Sequence, residues 1–146
     1  MFRGHAPARI DDKGRLKMPT VFRTELESKY GRELFLTSIT GEHVRIYPMP
    51  VWLQLEEKIS LIPSTHPSRG RFLDRVSFYG QVGELDAQGR VLIPLRLREA
   101  ATIAGDVDVL GYSSYLDVWN HDRLLLKLQR EPYTDDDARA MSEFGV

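Results

Sequence analysis

The sequence contains no cysteine. That excludes a disulfide framework and any thiolate metal site, and it fits a reducing compartment. No apolar run approaches the ~20 residues that span a bilayer. The opening Met1-Phe2-Arg3-Gly4-His5 leads straight into a patterned segment with no signal-peptide core. These features lead to the expectation of a soluble, cytoplasmic protein with no membrane partner. An excess of positive charge is missing too: 20 Lys and Arg stand against 21 Asp and Glu, for a net charge of −1. On the sum alone this argues against a phosphate-binding surface. No Gly-rich phosphate loop or nucleophile elbow is present. His5, His43, His66 and His121 are scattered without metal-ligand spacing and read as ordinary surface residues. Ser113-Ser114 and Ser64-Thr65 lack a nucleophile's context. The expectation is a chain without catalytic residues, metal, cofactor or small-molecule substrate.

What is present starts with length. The 146 residues suit one large domain or two small intimate ones, and a body of this size buries roughly 68–70% of its unfolded surface. The near-zero charge hides an asymmetry. The first stretch carries Arg3, Arg9, Lys13, Arg15, Lys17, Arg23, Lys29 and Arg32 against four acids, whereas the end carries Glu131, Asp135, Asp136, Asp137 and Glu143 against Arg139.

The chain is internally repeated. Ile10-Asp11-Asp12-Lys13-Gly14-Arg15-Leu16-Lys17-Met18-Pro19 lies over Leu85-Asp86-Ala87-Gln88-Gly89-Arg90-Val91-Leu92-Ile93-Pro94. Arg23 then pairs with Arg98, and Val44-Arg45-Ile46-Tyr47 lies over Leu116-Asp117-Val118-Trp119. Each copy ends in a helix-like segment, Pro50 to Ile62 and Asn120 to Arg130. The division is a first repeat over 1–62, a connecting segment over 63–79, a second repeat over 80–131 and a tail over 132–146.

Turn chemistry predicts the local structure. Asp opens a turn by accepting backbone hydrogen bonds, and Gly three residues on takes the positive φ that closes a hairpin. Ala6–Ile10 and Arg15–Met18 are therefore expected to pair, as are Gln81–Leu85 and Arg90–Ile93. Pro19 and Pro94 end these strands and suit a helix start. Thr20 is expected to cap a helix with Phe22, Leu26 and Tyr30 on its apolar stripe, ended by Gly31. The counterpart runs from Leu95 to Ile103. A second hairpin in each copy joins Glu33–Ile39 to Val44–Tyr47 and Val107–Gly111 to Leu116–Trp119. After the breaker cluster Pro63–Ser68, Arg69–Phe78 reads as a helix with Phe72, Val76 and Tyr79 inward and Arg69, Arg71 and Arg75 outward. The tail from Thr134 reads as a short capped helix with acids in its first turn. Trp52 and Trp119 read as packing or subunit-interface residues.

The two Asp-x-x-Gly-Arg turns, the start Phe2-Arg3-Gly4 and Tyr47-Pro48 before Trp52 together resemble the MraZ family of bacterial transcriptional regulators, in the AbrB-like swapped-hairpin class. The likeness covers nearly the whole chain. It implies an α+β, β-rich fold: a pseudo-two-fold, duplicated AbrB-like swapped-hairpin (double-split) β-barrel with flanking helices. It also implies a ring-shaped homo-oligomer that binds short direct repeats in double-stranded DNA. Such a protein regulates, usually by repression, the cell-division and cell-wall gene cluster, and associates with the nucleoid.

The expected DNA-binding residues are Arg15 and Arg90, matching the family's motif arginines, with Lys13, Arg9 and Arg3. An arginine just past a tight turn projects from fixed backbone, and its planar fork matches guanine O6 and N7 or a phosphate. The bland alternative is that both arginines pair with the motif aspartates, and a lone surface cation is ordinarily just solvated. Arg15, beside Lys13, is favoured over Arg90, whose neighbour is Gln88. Asp11, Asp86, Gly14 and Gly89 read as turn architecture. Two other functions stay open: a protein-interaction or antitoxin-like module of the same fold, and, more remotely, a small enzyme.

Overall fold

The computed structural model describes residues 1–146. In chain order its elements are β1 (Phe2–Ile10), β2 (Arg15–Lys17), α1 (Thr20–Lys29), β3 (Glu33–Thr37), β4 (Val44–Pro48), α2 (Met49–Ser60) and α3 (Pro67–Tyr79). The second half continues with β5 (Gln81–Glu84), β6 (Arg90–Leu92), α4 (Leu95–Ala101), β7 (Gly105–Ser113), β8 (Tyr115–Asn120), α5 (His121–Arg130) and α6 (Asp135–Ser142). The architecture is α+β: eight antiparallel strands in the order β5-β3-β4-β8-β7-β1-β2-β6 form a nearly closed barrel flanked by six helices.

The ladders interleave the two repeats. β1 pairs with β7 over its whole length, from Phe2↔Ser113 to Ile10↔Gly105, and β5 pairs with β3. This corrects the expectation that each Asp-x-x-Gly-Arg turn joins two strands paired with each other. β1 and β2 share the single pair Ile10↔Leu16, β5 and β6 share no ladder, and β2 instead pairs with β6 through Arg15↔Leu92, Leu16↔Val91 and Lys17↔Arg90. The physical reason is the core. Crossing the hairpins brings Leu16 and Val91 face to face inside the barrel, where both are almost fully buried. The Gly carbonyl of each turn completes the exchange: Gly89 accepts from the Met18 amide at 2.9 Å, and Gly14 from the Ile93 amide at 2.9 Å.

An internal pseudo-two-fold axis follows from the registers. Under the repeat alignment, Leu16↔Val91 and Arg45↔Asp117 are the two pairs in which a position faces its own counterpart. The first pair is apolar on both sides, whereas the second joins opposite charges. Arg45 Nε donates to Asp117 Oδ1 at 2.9 Å, His43 Nε2 lies 3.2 Å from Asp117 Oδ2, and the Arg45 guanidinium sits 4.2 Å from the Tyr115 ring centre. Burial alone would lower the Arg45 pKa, but the Asp117 hydrogen bond and charge raise it.

The main core joins twenty residues from both repeats, among them Phe2, Leu16, Phe22, Leu34, Ile46, Val91, Leu97, Val109 and Val118. A smaller cluster of Tyr47, Trp52 and Val76 holds α2 and α3 to the barrel, with Phe35 stacked on Trp52 at 4.3 Å and Thr37 Oγ1 donating to the Val76 carbonyl. Three local expectations change. Pro19 rather than Thr20 precedes α1, because its carbonyl accepts from the Phe22 and Arg23 amides and Thr20 makes no cap bond. α4 stops at Ala101, since Thr102 turns left-handed at φ 53° so that the Ile103 side chain can enter the core. Arg69 does not face outward; its Nε reaches the Ile59 carbonyl at 3.4 Å and ties α3 to α2.

Candidate nucleic-acid interface

Each motif turn is built by its aspartate. Asp11 Oδ1 accepts from the Lys13 and Arg15 amides at 3.0 and 2.9 Å, and the Asp11 amide donates to the Arg15 carbonyl at 3.0 Å. The second turn repeats this, with Asp86 Oδ1 accepting from Gln88 and Arg90 at 2.9 Å each. Gly14 and Gly89 close the turns at φ 85° and 76°, in the left-handed region that a side chain disfavours. The Arg15 amide bond leads the forces holding the Asp11 carboxyl below the usual carboxylate range; the Arg90 amide does the same for Asp86.

The same carboxylates orient the arginines. Arg15 Nε donates to Asp11 Oδ2 at 2.7 Å and Arg90 Nε to Asp86 Oδ2 at 3.0 Å. The pairing that the sequence left as the bland alternative is therefore real. It engages Nε only, and the side chains remain 31% and 28% exposed, with both Nη groups of each fork outside the pair. An ion pair of this kind fixes the aim of a guanidinium and leaves its outer edge open to a ligand.

Because Leu16 and Val91 point into the barrel, Arg15, Lys17, Arg90 and Leu92 share its outer face. Arg15 and Arg90 are diagonal neighbours in the β2–β6 ladder, which places their Cα atoms about 7–8 Å apart. Lys17 lies directly opposite Arg90, and its Nζ donates to the Gln88 carbonyl across the repeat boundary. Lys13 is exposed at the tip of the first turn. The surface that brings the motif arginines together is thus shared by both halves, with extra cations at Lys13 and Lys17.

Arg9 and Arg3 fare differently. Arg9, near the first turn at the end of β1, is exposed and pairs loosely with Asp106 at 3.3 Å. Arg3 lies opposite Tyr112, six residues back along the same strand, or about 20 Å away. Arg3 is therefore not grouped with the turns, contrary to the expectation that it adds charge beside them.

Two arginines that the sequence showed only as a repeat match prove central. Arg98, from α4 of the second repeat, lies over Gly14 of the first turn and donates from Nε to the Ile93 carbonyl at 2.8 Å. Arg23, from α1 of the first repeat, lies over Gly89 of the second turn and donates to the Ala87 carbonyl at 3.1 Å. A Cβ on Gly14 would stand 2.4 Å from Arg98 Cζ, and one on Gly89 would stand 2.7 Å from Arg23 Cδ. The only signal in the sequence was the equal offset of the two arginines from their turns; that each serves the other repeat's turn follows from the strand exchange.

The histidines hold specific contacts: His5, His66 and His121 are exposed as expected, and His43 is partly buried. Asp108, buried on β7, is clasped by His5 Nε2 at 2.6 Å and His121 Nδ1 at 2.7 Å. Burial would raise the Asp108 pKa, but the hydrogen bonds from both histidines hold it below the usual range, and Asp108 in turn raises His121. His43 stacks on Trp119 at 4.5 Å, and His66 caps α3 by accepting from the Ser68 amide at 3.1 Å.

Comparison with known proteins agrees with this architecture. The model of the MraZ family, described as "MraZ protein, putative antitoxin-like", matches residues 1–75 and 81–144. A transcriptional regulator MraZ from Acidobacterium capsulatum is 47% identical over 146 residues, covering all of both chains. One from Koribacter versatilis is 46% identical over 147 residues, and one from Herpetosiphon aurantiacus 36% over 151, each again covering both chains in full.

Proposed function

The chain belongs to the MraZ family, and from that premise we propose that it is a sequence-specific DNA-binding transcriptional regulator. It acts as a ring-shaped homo-oligomer on short direct repeats upstream of a cell-division and cell-wall gene cluster, as a nucleoid-associated protein of the cytoplasm. It works by binding, with no chemistry of its own. The observation that carries the reading is the shared outer face of β2 and β6. There, two arginines stand beside each other, each aimed by its own aspartate, with their Nη edges free.

A guanidinium held in this way meets guanine O6 and N7 with little orientational freedom left to lose, and one bidentate contact is worth about 1–3 kcal/mol of discrimination. Arg15 has Lys13 and Arg9 nearby for phosphates; Arg90 has Gln88 at the matching turn position, although Lys17 faces it across the ladder. Arg15 is therefore assigned the leading base contact and Arg90 a secondary one. Repetition of the face around an oligomer sums modest contacts through effective concentration, so a near-neutral protomer suffices.

The test is a mobility-shift titration against the chain's own upstream DNA with Arg15→Ala. Specific affinity should fall at least about tenfold. Size-exclusion profile and melting should barely change, because an exposed ion pair contributes only about 0–1 kcal/mol. Undiminished binding by the variant would remove DNA reading from this face. Absence of specific binding by the unsubstituted chain, by contrast, would favour an antitoxin-like module of the same fold, with the basic turns meeting a protein partner.

A further inference from the structure

The second half of the molecule has an amphipathic helix that covers nothing and a cleft that nothing covers. α6 is a well-made helix: Thr134 and Asp137 form a capping box, and Asp135, Asp136 and Asp137 occupy its first turn. Yet none of its residues is buried, and Met141, Phe144 and Val146 remain exposed, as does Tyr133 just before it. Helices shorter than about 12–15 residues are marginal in water without tertiary packing. Eight residues with an apolar end therefore call for a seat.

The cleft runs along α5. It measures about 470 Å³ and is lined by Arg123, Leu126 and Arg130 on the helix and by Trp119 on β8, with Tyr79 and Glu42 opposite. Its chemistry is the complement of α6: an apolar floor with two arginines against one glutamate, facing a helix whose acids outnumber its single Arg139. Leu126 is 55% exposed, a large apolar side chain left open to water on an otherwise polar rim. α3 shows what such a seat does in the first half, where the helix that follows α2 turns back and buries Val76 against Tyr47 and Trp52.

We propose that α6 seats in the α5 cleft of a second copy of this chain, acids toward Arg123 and Arg130 and Met141 and Phe144 toward Leu126 and Trp119. The occupant is a second copy because the short route home is not taken. Four residues separate α5 from α6, enough for a helical hairpin, but the single chain leaves α6 free of its own α5. The proposal rests on the self-association in the reading above and is independent of its DNA contacts.

The absence of native cysteine makes the test unambiguous. A tagged full-length chain bearing Met141→Cys is co-expressed with an untagged one bearing Leu126→Cys, and the purified protein is treated with a short bis-maleimide. Both positions are exposed, so both chains should fold. The expected product is a covalent species of the mixed mass. Arg130→Glu should reduce it several-fold, and adding Asp135→Lys on the other chain should restore it. The doubly substituted chain, treated alone, should give covalent multimers. Closure within a single chain would overturn the proposal, and so would no cross-link from an assembly that size exclusion shows to be intact. A monomer by size exclusion would overturn the self-association reading itself, whatever its DNA binding.

Discussion

At the scale of the residue, Gly14 and Gly89 are each fixed twice over: by a positive φ and by an arginine lying against the face a Cβ would occupy. Gly14→Ala adds the left-handed penalty of about 1–2 kcal/mol to the displacement of Arg98. A loss of about 2 kcal/mol is expected by urea unfolding, with DNA affinity falling alongside as the turn shifts. The carboxylate bonds of these turns were legible because they run within four residues. The Asp108 clasp was not, because burial of an aspartate between two histidines distant in sequence is a tertiary fact. Its pH dependence has a defined sign. His121 is raised, so its contribution is complete below its unfolded pKa and fades as pH climbs through the folded value; Asp108 is depressed, so its contribution fades as pH falls through its own folded value. His121→Ala should therefore destabilise the protein more at pH 5.5 than at pH 8.5, read as the shift of urea midpoint at each pH.

At the scale of the element, the interleaved hairpins decide what a mutation touches. Leu16 and Val91 form the seam of the β2–β6 ladder, both essentially without solvent contact. Leu16→Ala should cost about 3 kcal/mol and loosen both turns together, since each turn's glycine carbonyl is bonded to the other repeat's chain. Arg45→Ala, which leaves Asp117 buried beside His43 alone, should cost a similar amount, about 3 kcal/mol by chemical denaturation. The helices and strands themselves could be read from the sequence to within a few residues, because apolar spacing and proline set them locally. Strand partners could not. The same alternation of Leu16, Met18, Val91 and Ile93 fits a hairpin closed on itself and one exchanged with its neighbour, and only the shared core selects between them.

At the scale of the whole molecule, one core spans both repeats, with no seam along which half could melt alone. Trp52 belongs to the cluster under α2 and α3, and Trp119 to the second repeat beside His43. Their fluorescence and the far-UV dichroism should report a single coincident unfolding transition. Charge is likewise segregated rather than balanced in place: cations at the two turns, acids at α6. DNA affinity should consequently weaken steeply with salt, with a log–log slope of about −0.9 for each phosphate met. A flat response would mean that the face does not engage a phosphate backbone.

The ion pair at the pseudo-two-fold axis has a further consequence, for what the molecule refuses to become. In a symmetric pairing of two identical halves, whatever residue stands on the axis must face itself. Two first halves would press Arg45 against Arg45, and two second halves Asp117 against Asp117, each a buried like-charge contact without relief. Only unlike halves satisfy the seam. Every barrel therefore joins one first half to one second half and never two of a kind, and it acquires a left and a right. On the proposed DNA-binding reading, two distinguishable sides would fix which way along a duplex the protein lies.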